Sequence, residues 1–140
     1  MKAISLWQHW ASAIANGVKK IETRSWRTYH EGPIAIHAAQ KTGPDLNQKF
    51  YRLMAEHREM FEAFYDSGEE RFGWLPFGCI VAKANLVECV RTDMLNTISP
   101  LERALGDYSP GRYGWILTDI TKLKVPIPAI GRQQLFEVEL

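Results

Sequence analysis

The stretch Ile34-Ala35-Ile36-His37-Ala38-Ala39 is apolar on both of its alternations, opened by the turn pair Gly32-Pro33. A strand of this kind must be covered on both faces, so it belongs in the interior of a layered domain rather than at a sheet surface. With 140 residues the chain is long enough for one domain with one substantial core, and residues 1–140 are read as a single domain. His37 sits inside this doubly apolar run and reads as a hydrogen-bonded core residue rather than a catalyst.

Other segments carry local signals of their own. Ser5-Leu6-Trp7-Gln8 has the S-x-x-Q form of a capping box and opens a run with Trp7, Trp10, Ala11, Ile14, Ala15 and Val18 on one helical face, ended by Gly17. Trp7 and Trp10 therefore read as core. Lys19 to Trp26 follows as a half-exposed strand with Ile21 and Thr23 on one face and Lys20, Glu22, Arg24 and Trp26 on the other. After Thr42-Gly43-Pro44-Asp45, one long helix is predicted through Leu46, Phe50, Leu53, His57, Phe61 and Phe64, ending near Gly68.

Cys79 to Val90 reads as a central strand long enough to need a bend or bulge. Ser99-Pro100-Leu101-Glu102 is a second capping box with proline at the first helical position, giving a short helix to about Leu105 that stops at Gly106. A turn-rich loop from Asp107 to Arg112 leads to the strands Tyr113–Leu117 and Leu135–Leu140, with Lys124 to Arg132 an edge segment or loop between them. This order is not that of a parallel doubly wound sheet. It predicts an α+β domain with a mixed, strongly curved sheet, open or closed into a barrel.

Composition narrows the chemistry. A net charge of +1 provides no global field for a long polyanion, so affinity for nucleic acid would come from a local patch and a short or single-stranded ligand. Cys79 and Cys89 lie ten positions apart in one expected strand, roughly 33 Å if it runs straight, too far for a disulfide or a metal pair. The four histidines form no i,i+4 pair or H-E-x-x-H frame, so no zinc or other cofactor is expected. With no signal peptide and no membrane-spanning run, a soluble, cytoplasmic protein without a membrane partner is expected.

The cluster G-x-K-x-x-E-x-R, Gly17, Lys19, Glu22 and Arg24, admits two readings on spacing alone: a surface ion-pair network, or a site in which Glu22 holds Arg24 beside a phosphate or carbonyl. Lys19 is placed in the turn after the helix, where it would add little to packing. Trp26, Trp74 and Tyr113 are the aromatic candidates for stacking on a base.

The ordered blocks S-L-W-Q-x-W-A, G-V-K-K-I-E-T-R-S-W, G-P-I-A-I-H-A, L-P-F-G-C-I-V-A, G-D-Y-S-P-G-R-Y-G-W-I-L and G-R-Q-Q-L-F resemble the ASCH family, whose signature is G-x-K-x-x-E-x-R. The resemblance implies a PUA-like β-barrel with flanking helices and a cleft beside the signature, binding short or single-stranded RNA or a modified nucleoside. Lys19, Glu22 and Arg24 would line that cleft with Trp26, Trp74 and Tyr113. The alternative it implies is a metal-independent hydrolase, a ribonuclease or an N4-acetylcytidine-type amidohydrolase, using Lys19 and Glu22 as catalytic residues. The chain departs from the amidohydrolase branch at Glu22, where that branch has a threonine nucleophile. A third reading is a protein-interaction module with a structural charged cluster.

Overall fold

The structure is a computed structural model and describes residues 1–41, 43, 45–66 and 75–140. Six strands, β1 (Lys2–Leu6), β2 (Ile21–Arg24), β3 (Gly32–Ala38), β4 (Cys79–Arg91), β5 (Tyr113–Pro128) and β6 (Phe136–Glu137), form one mixed sheet in the order β2-β5-β4-β3-β1-β6. Among the described strands, only β1 and β3 run parallel. The sheet ends at β2 and β6 instead of joining them, so it stays open and the closed-barrel expectation is not met.

Helix α1 (Trp10–Ala15) explains why β3 is apolar on both faces. It packs Ala11 and Ile14 onto one face of the sheet, with Ile34, Ile36, Leu86 and Trp115. Ala35 faces the other way, into a smaller cluster with Ala3, Ile80 and Phe136. The opposite side of α1 puts Ala13 against Phe50, Leu53, Met60 and Leu105. A helix squeezed between a sheet and other helices has room for little beyond alanine, serine and one isoleucine, and its sequence is WASAIA.

The helix begins later than the sequence suggests. Ser5 lies in β1, and its Oγ bonds His37 Nδ1 at 2.8 Å rather than capping anything. Gln8 does the capping work by another route: its Oε1 accepts from Ser12 N at 3.0 Å while its Nε2 donates to Ser12 Oγ and Pro76 O. Gly17 ends the helix as expected, at φ +82°. His37 is buried, with Nε2 bonded to Ala129 O at 2.8 Å, as a satisfied core histidine should be.

The predicted long helix is two, α2 (Leu46–Glu56) and α3 (Arg58–Asp66), because His57 turns to an extended conformation between them. The expected helix end near Gly68 lies outside the described residues, as does Trp74. Strand β4 has the anticipated length and irregularity, with three register shifts against β5. Helix α4 (Pro100–Ala104) has the predicted cap, Glu102 N donating to Ser99 Oγ at 3.1 Å. Strand β5 runs on through Pro126 and Pro128 instead of stopping at Leu117; beyond Leu117 it has β4 alone as its neighbour, and proline is tolerated on such an edge.

His9, just before α1, is buried and stacks on Phe50 with ring centroids 4.0 Å apart. Burial lowers its pKa from 6.5 to about 4. The unfolded chain therefore binds the extra proton first as pH falls below 6.5, and stability is lost from there down to about 4. Between pH 7 and pH 5, above most carboxylate titration, the urea-derived stability should fall by about 2 kcal/mol. His9→Gln should flatten that slope; an unchanged slope would assign it to other groups.

Candidate functional site

The signature residues meet through the loop between α1 and β2. Val18 N and Lys19 N both return to Ala13 O, which closes the helix end and turns the Lys19 side chain inward. Lys19 is not a surface lysine: it is 1% exposed. Its Nζ donates to Ile21 O at 2.7 Å and to Leu105 O at 2.6 Å, and lies 3.5 Å from Glu22 Oε1. Burial lowers its pKa, with the carboxylates of Glu22 and Glu102 working in the opposite direction. The neighbouring backbone is fixed in the same way, Lys20 N donating to Glu102 Oε1 at 2.7 Å. Burial raises the Glu102 pKa, partly countered by that bond and by Lys19.

Glu22 passes the constraint outward. Its other oxygen lies 3.0 Å from Arg24 Nε, and Arg24 Nη2 donates to Ser5 O at 2.6 Å. Lys19, Glu22 and Arg24 thus form a buried-to-exposed relay in which each side chain is set by the one beneath it. Both carboxylate oxygens of Glu22 face cations, so the group is committed to two ion pairs.

Glu22 and Arg24 open into a cleft of about 510 Å³. Its walls include Trp7, Trp10 and Trp26, with Thr23 and Ser25 beside the pair and Lys49, Asp107 and Arg112 around it. Trp7 is 50% exposed, not core; its ring lies over the backbone of Gly43, where an added Cβ would come within 2.3 Å of it. Trp10 carries Lys49 Nζ 5.3 Å from its ring centre. Trp26 is held edge-on by the fully buried Trp115, centroids 4.8 Å apart. The loop before β5 is tied to the same wall, with Asp107 N donating to Thr23 Oγ1 at 3.0 Å and Arg112 Nη2 to Thr23 O at 3.3 Å.

Of the sequence candidates, Glu22, Arg24 and Trp26 line this cleft, whereas Lys19 lies behind it and Tyr113 pairs with Arg24 across the sheet without lining it. Trp7, Trp10, Lys49 and Arg112 were missed. Trp7, Trp10 and Arg112 stand in sequence blocks already marked by the family resemblance, so a signal existed for all three; Lys49 had none. Among the described residues no three His, Cys, Asp or Glu side chains gather where they could hold a metal ion. No described helix is long and apolar enough to cross a membrane.

The ASCH domain family model matches residues 4–126. The chain belongs to the ASCH family. Activating signal cointegrator 1 of Homo sapiens is 26% identical over 140 residues, covering 97% of the chain. The mouse protein of the same name is 24% identical over the same length. The chain spans only 22% of the length of either relative. Among solved structures, the ASCH protein of Zymomonas mobilis superposes with a TM-score of 0.56 at 17% identity, covering 99% of this chain and 87% of that one. A TM-score of 0.54 is reached with a variant of that protein. At such identity the likeness carries the fold, and this ASCH chain shares the mixed sheet with helices on it.

Proposed function

We propose that the cleft binds one base of a single-stranded RNA or a modified nucleoside. The observation that carries this reading is the Glu22–Arg24 pair, fixed from beneath by Lys19 and opening into a cleft walled by three tryptophans. A half-exposed ring such as Trp7 stacks on any base, at about 1–3 kcal/mol per base. Arg24 donates to a base carbonyl while Glu22 orients it or accepts from an exocyclic amine, and Lys49 and Arg112 take phosphate oxygens. Lys19 contributes through Glu22, not by touching the ligand.

Incubation with a total-RNA digest containing modified nucleosides, followed by mass spectrometry, tests the reading directly. Bound nucleosides should be enriched with their masses unchanged. Converted products would select the hydrolase, and the absence of any enrichment would overturn nucleoside binding. Glu22→Gln sharpens the contrast, because glutamine keeps the shape and one acceptor oxygen, for either Lys19 or Arg24 but not both, and no base. Binding should weaken by only about threefold to tenfold, whereas a hydrolase using Glu22 as its base would lose on the order of 10²-fold or more in turnover.

A further inference from the structure

A second cavity, about 760 Å³, lies on the other side of Ser5 and is used by nothing described so far. Ser5 lines both cavities. Its carbonyl accepts from Arg24 in the first, and its Oγ meets His37 in the second. The wall beyond Ser5 is closely built. Because the Ala129 carbonyl can only accept, His37 Nε2 donates to it, while Nδ1 meets the Ser5 hydroxyl at 2.8 Å. That chain of bonds ties β1, β3 and the segment after β5 together. Gly131 then passes so near that a Cβ there would lie 2.6 Å from His37 Cε1 and 3.1 Å from Ser5 Oγ.

What this wall presents is suited to a nucleotide. Gln40 and Gln133 offer amide donors and acceptors, and Arg132 offers an exposed guanidinium. The block G-R-Q-Q-L-F, conspicuous in the sequence and unused by the first cleft, supplies three of the lining residues, Gly131, Arg132 and Gln133.

Building on the proposed role of the first cleft, we propose that this second cavity is the subsite for the adjoining nucleotide. The ligand is then a single-stranded oligonucleotide of two or more units. Its backbone crosses Ser5, Arg132 contacts the phosphate beyond the first base, and the two glutamine amides meet the second base.

The test titrates the full chain and its Arg132→Ala variant with the 5′-monophosphates, dinucleotides and tetranucleotides of each of the four RNA bases, at two salt concentrations. For at least one base, the parent should bind the dinucleotide roughly tenfold or more tightly than the mononucleotide. Arg132→Ala should abolish that gain, lower the salt slope by about 1 for the oligonucleotides, and leave mononucleotide affinity unchanged. Circular dichroism confirms that the variant, changed at an exposed position, keeps its fold. Equal affinity at all lengths overturns the subsite while sparing the first cleft. A length gain that survives Arg132→Ala also overturns the assignment, as does a loss that falls equally on mononucleotide and oligonucleotide. If nothing of any length binds, the proposed function fails and the subsite with it.

Discussion

Lys19→Ala is expected to cost about 3–5 kcal/mol of stability, the range for removing one member of a buried, hydrogen-bonded ion pair. The loss has three sources in the structure. Ile21 O and Leu105 O lose their donor, Glu22 loses its inner cation, and the space of a side chain that is 1% exposed is emptied. In urea the midpoint should fall by roughly 1–5 M, given slopes of about 1–3 kcal/mol per molar for small proteins. Lys19→Met restores most of the volume without the charge, so it should recover part of the packing and none of the bonds. A Lys19→Ala protein that melts with the parent would show that this lysine is not the internal strut described above. A surface lysine in a turn, as the sequence suggests, would give that result.

The reason the sequence misplaces Lys19 is physical. A basic residue after a glycine C-cap is ordinarily solvated or set against the helix end, and nothing within ten residues indicates otherwise. Its deciding partner is the carbonyl of Leu105, 86 positions away. The same division runs through the fold. Gly17, the Ser99 cap and the irregularity of β4 depend on local chemistry and were legible. Strand β1 was not, because its last two residues, Ser5 and Leu6, are overlain by an S-x-x-Q frame, and what makes the five residues a strand is parallel pairing with β3 more than twenty-five residues later. The split of the long helix at His57 was equally hidden, since the apolar spacing runs straight through it.

In the cleft, the pair Glu22 and Arg24 could be read from strand alternation, and Trp26 with them. The tryptophan walls could not. Apolar spacing puts Trp7 on the face of a helix that in fact begins three residues later, at Trp10. Once the chain is extended at Ser5 and Leu6, Trp7 is released from that face and comes to rest against Gly43. Tyr113 lies outside the lining of this cleft and pairs with Arg24 across the ladder, whereas the residue before it, Arg112, reaches the cleft.

Arg24 carries the second large effect. If it donates to a base carbonyl, Arg24→Ala should weaken binding of a nucleoside or short RNA by about 10- to 100-fold, the usual loss for a hydrogen bond with a charged partner of about 1.5–3 kcal/mol. Stability should fall far less than in Lys19→Ala, because the guanidinium is partly exposed and its removal strands only the Ser5 carbonyl and the outer oxygen of Glu22. Arg24→Lys should not rescue binding. An ammonium cannot hold the Ser5 carbonyl and the Glu22 carboxylate while keeping a planar donor edge toward the cleft. Salt then separates base contact from phosphate contact: Arg24→Ala should lower affinity by the same factor at low and high ionic strength, whereas Lys49→Ala should reduce the salt slope by about 1. An Arg24→Lys variant that binds like the parent, or an Arg24→Ala loss that vanishes at high salt, would mean that this residue supplies charge alone and that the base is read elsewhere.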